Sequence, residues 1–509
     1  MRLLALVLLA ASAQAQIRVV AKPAKSPLVT LRIVFSAGAA QDPPEKPGVA
    51  YLTALMLSDG GTKDLTYRQI ADTMFPMAAS FSAQVDKEMT TFSGVTHADN
   101  LAEYYKILRA RLIEPGWRED DFRRLRDEAI NEIKVGLRNN DEELAKEVLY
   151  SDIYQGTLYG HYNGGTVRSL EAMTIEDVKQ FYRAHYTQAN LFLGIAGGYS
   201  PAFLEAMKKD FRSLPETNRL RPQWKAPELI HNTRMTIVEK ETRSVAISLG
   251  FPIPVTRRHP DYAALLLVAS YFGQHRMSGR VLYEELREKR GLNYGDYAYT
   301  EYFPQGMFLM EPNPNLARQS QIFQVWIRPV EPANAKFSLR MAMYQLDKLI
   351  KKGISSDDFE RTRDFLTRYV NFLLRTPRAD LGYAIDSLWY DYPGYGERLK
   401  AALAKLTVQD IQRALGHLRT DRLSIAIVAN QAEGLKRQLV SDDPSPMAYN
   451  SPKPAEVSET DKIVEKWPLH LRAEDIKIVP VDSVFHGTDN NSARDSRGGQ
   501  PDPRTIALH

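Results

Sequence analysis

The spacing of apolar and polar positions changes period several times along the chain. Residues 29–35 (VTLRIVF) alternate and are rich in β-branched side chains, which predicts a strand, and the Gly/Pro-rich residues 38–48 predict a turn after it. Residues 49–57 are apolar on nearly every side, as in a buried helix. Residues 81–95 alternate again, whereas 98–112, 119–136 and 142–154 carry apolar residues at helical spacing with charged faces. Thr174 followed by Asp177 resembles a capping box that opens a helix running to His185, and residues 191–196 form an apolar strand ending at Gly197 and Gly198.

The series then restarts. After the Pro-rich residues 214–227, a strand is predicted at 245–251, a buried helix at 262–272, and amphipathic helices at 336–353 and 357–374. Thr407 and Asp410 open another helix in the same way as Thr174 and Asp177, and an apolar strand follows at 423–429. A unit of this length repeating once implies two related domains, not a solenoid. The expected fold class is α+β, with two pseudo-symmetric domains, each a mixed sheet packed with helices. Their boundaries fall near 16–222 and 228–438. Residues 439–509 form an extension in which 476–484 are suited to one further strand, and from about 487 the composition is polar enough for disorder. No catalytic residue is expected there.

Composition narrows the function. The chain has 509 residues, 44% hydrophobic and 25% charged, and its 66 Lys and Arg against 62 Asp and Glu are interleaved, not clustered on one face. Nucleic-acid binding is therefore excluded as a reading. With no cysteine there is no disulfide framework and no thiolate metal site. Met1 and Arg2 precede an apolar run at 3–11 and the small-residue stretch Ser12-Ala13-Gln14-Ala15, which reads as a cleaved signal peptide of residues 1–15. The run is well short of the roughly 20 residues that cross a bilayer, and no later stretch reaches that length. The expectation is an exported chain without a membrane span, in a bacterial periplasm.

Four segments carry more specific information. Pro47 to Leu57 (PGVAYLTALML) is followed by Gly60-Gly61-Thr62; Leu158 to Tyr162 reads LYGHY; Phe181 to Asn190 reads FYRAHYTQAN; and Tyr283 to Tyr294 reads YEELREKRGLNY. Together they resemble the pitrilysin/insulinase (inverzincin) peptidase family over most of the chain. The resemblance implies domains of the pitrilysin/mitochondrial-processing-peptidase type. It also implies that the first buried helix should carry His-x-x-Glu-His, two zinc ligands one turn apart with a glutamate acting as base toward metal-bound water.

Here those positions are Tyr51, Ala54 and Leu55. Alanine has no base, leucine no lone pair, and a phenol with its ordinary pKa near 10 is a poor ligand at neutral pH. The family's distal glutamate ligand falls on Glu132, where a lone carboxylate on a charged helix reads as a solvated face or a salt-bridge partner. None of the ten histidines pairs with another at zinc-helix spacing, and no Gly-x-Ser-x-Gly elbow is present.

The resemblance also implies an Arg and a Tyr that contact the substrate carbonyl region, here Arg287 and Tyr294; their alternative reading is an exposed ion pair and a core tyrosine. It further implies that peptide is gripped as an added strand along Ser82, Ala83, Gln84 and Val85. The family's Gly-Gly…Asn-Ala pattern there is replaced by Ala78-Ala79 and Ser82-Ala83. The expectation that follows is a catalytically inactive subunit with no cofactor of its own, which pairs with a zinc-bearing homologue to degrade peptides. The alternative is a structural or peptide-binding protein of the same fold.

Overall fold

The computed structural model describes residues 17–217, 223–274, 277–306, 309 and 312–487. The expected signal peptide and the polar tail after 487 lie outside the described residues.

The first half builds a five-stranded sheet from β1 (Arg18–Pro23), β2 (Leu28–Phe35), β3 (Ser80–Val85), β4 (Thr90–His97) and β5 (Leu191–Gly197), in the order β1-β5-β2-β4-β3. The second half uses β6 (Arg234–Glu239), β7 (Val245–Ile253), β8 (Asp296–Tyr299), β9 (Gln321–Val330), β10 (Ser424–Ala429) and β11 (Ile476–Pro480), ordered β11-β6-β10-β7-β9-β8. Remove β11 and the two orders are the same. β1 with β5 and β6 with β10 are parallel, as is the added β11 with β6, and the remaining pairs are antiparallel. The repeat expected from the sequence is thus a repeat of topology, and the fold is two-domain α+β. Both Thr-x-x-Asp helix starts form reciprocal capping boxes, at Thr174 with Asp177 and at Thr407 with Asp410.

β5 and β10 are buried along their whole length, which explains their unbroken apolar sequences: both faces of each sheet are covered. One face packs on helices of the same half. The other receives a helix from the opposite half. Helix Asp141–Ile153 lies on β7 and β10, where Leu144, Val148 and Leu149 join a core with Val238, Ala246 and Val428. Reciprocally, helix Pro377–Trp389 lies on β5 and β2, and its Leu381, Ile385 and Trp389 share a core with Val34, Phe192 and Ala196. That approach is close: a Cβ on Gly194 of β5 would come within 2.9 Å of Ile385 Cδ1.

Between the halves run buried charges. Arg318 donates to Asp86 from Nη2 and, at 2.8 Å, from Nε. Asp386 accepts from Arg257 Nη1 at 2.7 Å and from Asn315 Nδ2 at 2.9 Å, while Arg32 Nε donates to Asn315 Oδ1. These bonds fix the connection between β8 and β9 against the first sheet.

Asp296, which opens β8, is fully buried, and burial pushes its carboxyl well above the ordinary range despite the Asn293 amide and Arg328. A carboxyl whose pKa is higher folded than unfolded contributes stability that is present below the unfolded value and lost as pH rises through the folded one. Asp296→Asn removes that loss. It is expected to raise the stability by about 1–2 kcal/mol at pH 8, measured by denaturant unfolding, with the gain vanishing near pH 4.

Candidate functional site

The helix Val49–Ser58 starts after Gly48, whose φ of 95° is left-handed and suits glycine. Asp42 holds the helix start from a distance, accepting from Gly48 N at 2.7 Å and Ala50 N at 2.9 Å. Eight of the ten helix residues are buried, and the two that are not, Tyr51 and Leu55, are four apart and so share one face. That face forms a wall of a cleft of about 650 Å³.

The cleft is also lined by Ala54, by Ser82, Ala83, Gln84 and Val85 of β3, by Glu128 and Glu132, and by Tyr302, Pro304 and Leu316 from the β8–β9 connection. Eight of the positions singled out from the sequence, Tyr51, Ala54, Leu55, the four β3 residues and Glu132, are placed by tertiary folding around this one space.

Its chemistry is not that of a zinc centre. Burial, reinforced by the carboxylates of Glu132, Asp59 and Glu128, pushes the Tyr51 phenol up to about 12, so it keeps its proton at neutral pH. The helix expected over 119–136 ends as an α-helix at Asn131 and continues as the π-helical turn Glu132–Leu137. Glu132 has no ion pair among the described residues. Its carboxyl lies over Gly136, where a Cβ would come within 2.4 Å of Oε2, and partial desolvation raises its pKa. Of the two readings expected for this residue, the salt-bridge partner is not found among the described residues, and the solvated face is: Glu132 is exposed on the cleft wall. At the four motif positions, one carboxylate beside a protonated phenol, an alanine and a leucine does not supply the three protein ligands of a catalytic zinc site, and these positions do not fit zinc.

β3 is the outer strand of its sheet, the position from which a further strand can be added. Part of that edge is already engaged. Asn163 Nδ2 donates to Val85 O at 3.3 Å, and Gln84 Nε2 donates to Pro314 O at 3.2 Å.

Arg287 and Tyr294 are not among the residues lining this cleft. Arg287 sits in the π-helical turn Tyr283–Glu288, donates to Tyr294 O at 2.8 Å, and lies 4.4 Å from the Tyr294 ring centroid and 4.8 Å from that of Tyr283. Tyr294 is 62% exposed, so it is no core tyrosine, and Arg287 makes no ion pair among the described residues. The buried member of the segment is Arg290, which donates to Asp461 Oδ1 at 2.8 Å. Asp461 belongs to helix Ala455–Val464 of the C-terminal extension, so the extension anchors the Arg/Tyr segment.

Sequence spacing gave no sign of one further cluster. His259, Asp261 and His417 converge in the second domain, and His417 is too far along the chain from the neighbouring His259 and Asp261 for any spacing rule to connect it to them.

Comparison with known proteins gives a consistent picture. Residues 18–164 match the family described as Insulinase (Peptidase family M16), and residues 172–366 match Peptidase M16 inactive domain. An uncharacterized zinc protease of Bacillus subtilis, YmxG, is 23% identical over 280 residues, 55% of this chain and 66% of its own length. The chain thus spans just under two thirds of that relative. An uncharacterized zinc protease of Streptomyces coelicolor is 23% identical over 374 residues, 71% of each chain. Among solved structures, a peptidase M16 inactive domain from Pseudomonas fluorescens aligns with a TM-score of 0.72 at 23% identity, covering 82% of this chain and 96% of that one. A protease from Helicobacter pylori aligns with a TM-score of 0.70 at 17% identity, covering 82% and 98%. With the two family matches side by side on two domains of one topology, the chain belongs to the insulinase (pitrilysin) family, peptidase family M16.

Proposed function

We propose that this chain is a catalytically inactive subunit of an exported, two-chain M16 peptidase, acting in a bacterial periplasm. Its partner is a homologue that carries zinc on an intact His-x-x-Glu-His helix, and the substrates are peptides. The observation that carries this reading is an asymmetry between two sites. The cleft offers no histidine or glutamate at Tyr51, Ala54 and Leu55, whereas the half-buried Arg287 guanidinium donates to the Tyr294 main-chain oxygen and stacks on the exposed Tyr294 ring. A guanidinium and a phenol presented outward are suited to a site completed by another chain, where donors aimed at developing oxyanion charge lower the barrier. Peptide held as an added strand along β3 gives sequence-tolerant affinity through backbone bonds.

The test is to purify the mature chain alone and together with a zinc-motif homologue from the same organism, then assay peptide cleavage. The lone chain is expected to be inert and the pair active. Arg287→Ala in this chain is expected to lower kcat of the pair by about 100-fold, and Tyr294→Phe by about 10-fold, with the pair still co-eluting in gel filtration. Cleavage by the lone chain refutes the reading. Unchanged turnover in both variants assigns the chain a structural or peptide-binding role instead.

A further inference from the structure

The His259, Asp261 and His417 cluster lies outside the cleft and plays no part in the reading above. His259 and Asp261 belong to the turn before helix Tyr262–Gly273, where the His259 and Asp261 backbone groups begin the helix: Tyr262 N donates to His259 O at 3.0 Å and Leu265 N to Asp261 O at 2.9 Å. His417 follows helix Val408–Leu415, which packs against helix Tyr262–Gly273. One donor atom from each of the three residues lies within 4.8 Å of the others. His417 Nε2 is 2.9 Å from Asp261 Oδ2, His259 Nδ1 is 4.0 Å from the same oxygen, and the two imidazoles meet edge to face with centroids 5.5 Å apart.

We propose that His259, Asp261 and His417 bind one divalent transition-metal ion, with zinc as the reference case, and that the ion cross-links the two helices. Ligand bonds of about 2.0–2.1 Å at tetrahedral angles put donor atoms about 3.4 Å apart, between the two donor separations to Asp261 Oδ2. Two imidazole nitrogens with one carboxylate oxygen select zinc, nickel, cobalt or copper over magnesium and calcium, which take oxygen ligands.

The carboxylate is already set for the task. Arg413 Nε donates to Asp261 Oδ1 at 2.6 Å, which orients the group and leaves Oδ2 facing both histidines. This is the outer hydrogen bond that ligating carboxylates commonly carry. Arg413 also contacts Asp410 Oδ1 at 2.9 Å, so a second carboxylate offsets its charge. His259 Nδ1 now accepts from Asp261 N at 3.1 Å, and on ligation the metal takes that lone pair in place of the N–H. With three protein ligands, water completes the shell. Asp261 is nearly buried and the two rings half-buried, so an ion can enter from the rings' exposed side.

The experiment uses the mature full chain, stripped with a chelator and equilibrated with zinc sulfate. Bound metal is measured by equilibrium dialysis and thermal stability by calorimetry. About one equivalent is expected, with Tm raised by about 3 °C at a hundredfold excess over Kd. His259→Gln and His417→Gln are each expected to weaken binding at least about 10-fold and to abolish the Tm rise relative to their own metal-free state. If His417→Gln fails to fold, His259→Gln still decides, because it leaves the bonds from His417 and Arg413 to Asp261 in place. Glu132→Gln is expected to bind zinc as the unaltered chain does. Absence of bound zinc, retention of full affinity in His259→Gln, or loss in Glu132→Gln overturns the proposal.

Discussion

Asp86→Ala is expected to lower the stability of the chain by about 3–5 kcal/mol, among the largest effects of any single substitution here. Asp86 and Arg318 are both nearly inaccessible to solvent, and they join the β3–β4 turn to the segment that leads into β9. Arg318 also lies 3.7 Å from the Tyr302 ring centroid, so it is enclosed on its other side as well. Removing the carboxylate leaves a guanidinium that burial alone cannot tolerate, and the cost is that of an uncompensated charge, not of one lost hydrogen bond. The double variant Asp86→Leu, Arg318→Met, which removes both charges, is expected to recover most of the loss. Urea titration followed by circular dichroism measures both. A single variant within about 1 kcal/mol of the unaltered protein would show that water reaches the pair.

The second large effect concerns the lost metal site. Tyr51 and Leu55 share the cleft face of one helix, and Glu132 lines the same cleft, near enough for its charge to act on the Tyr51 phenol. Tyr51→His, Ala54→Glu and Leu55→His together should therefore give the cleft a site that binds about one equivalent of zinc, because the helix already supplies the i and i+4 geometry. The comparison is best made in a His417→Gln background, so that metal at the outer cluster does not enter the count. Adding Glu132→Gln to the triple variant should weaken binding by about 10–100-fold. If the triple variant folds and takes up no zinc, Glu132 does not face the helix closely enough to complete a ligand set.

Much of the fold was legible because its signals are local. Residues 29–35 alternate, and β2 is found at Leu28–Phe35; Thr174 and Thr407 look like helix starts, and both form capping boxes. What stayed hidden depends on partners distant in the chain. Helix Pro377–Trp389 is wedged between the sheets, so its buried residues include Gly382, Asp386 and Ser387, and no single apolar face marks it. β8 is four residues long and β1 is only half-buried, too little of either for a periodic signal. At the cleft, motif spacing located Tyr51, Ala54 and Leu55, yet neither the π-helical turn that carries Glu132 nor the desolvation of its carboxyl is encoded in any local pattern. The metal-type cluster is the limiting case, since only the packing of two helices brings its histidines together.

The exchange of helices between the two sheets bears on how such a chain arises and how it comes apart. Helix Asp141–Ile153 is chemically a piece of the second domain's interior, and Pro377–Trp389 a piece of the first's. The two halves are copies of one topology, but neither is a module that can be excised: cutting between residues 217 and 223 would leave each fragment with an uncovered apolar sheet and a helix stranded without the sheet it packs on. The two domains are therefore expected to melt as one cooperative block, so that a repeat visible in the topology is absent from the unfolding transition.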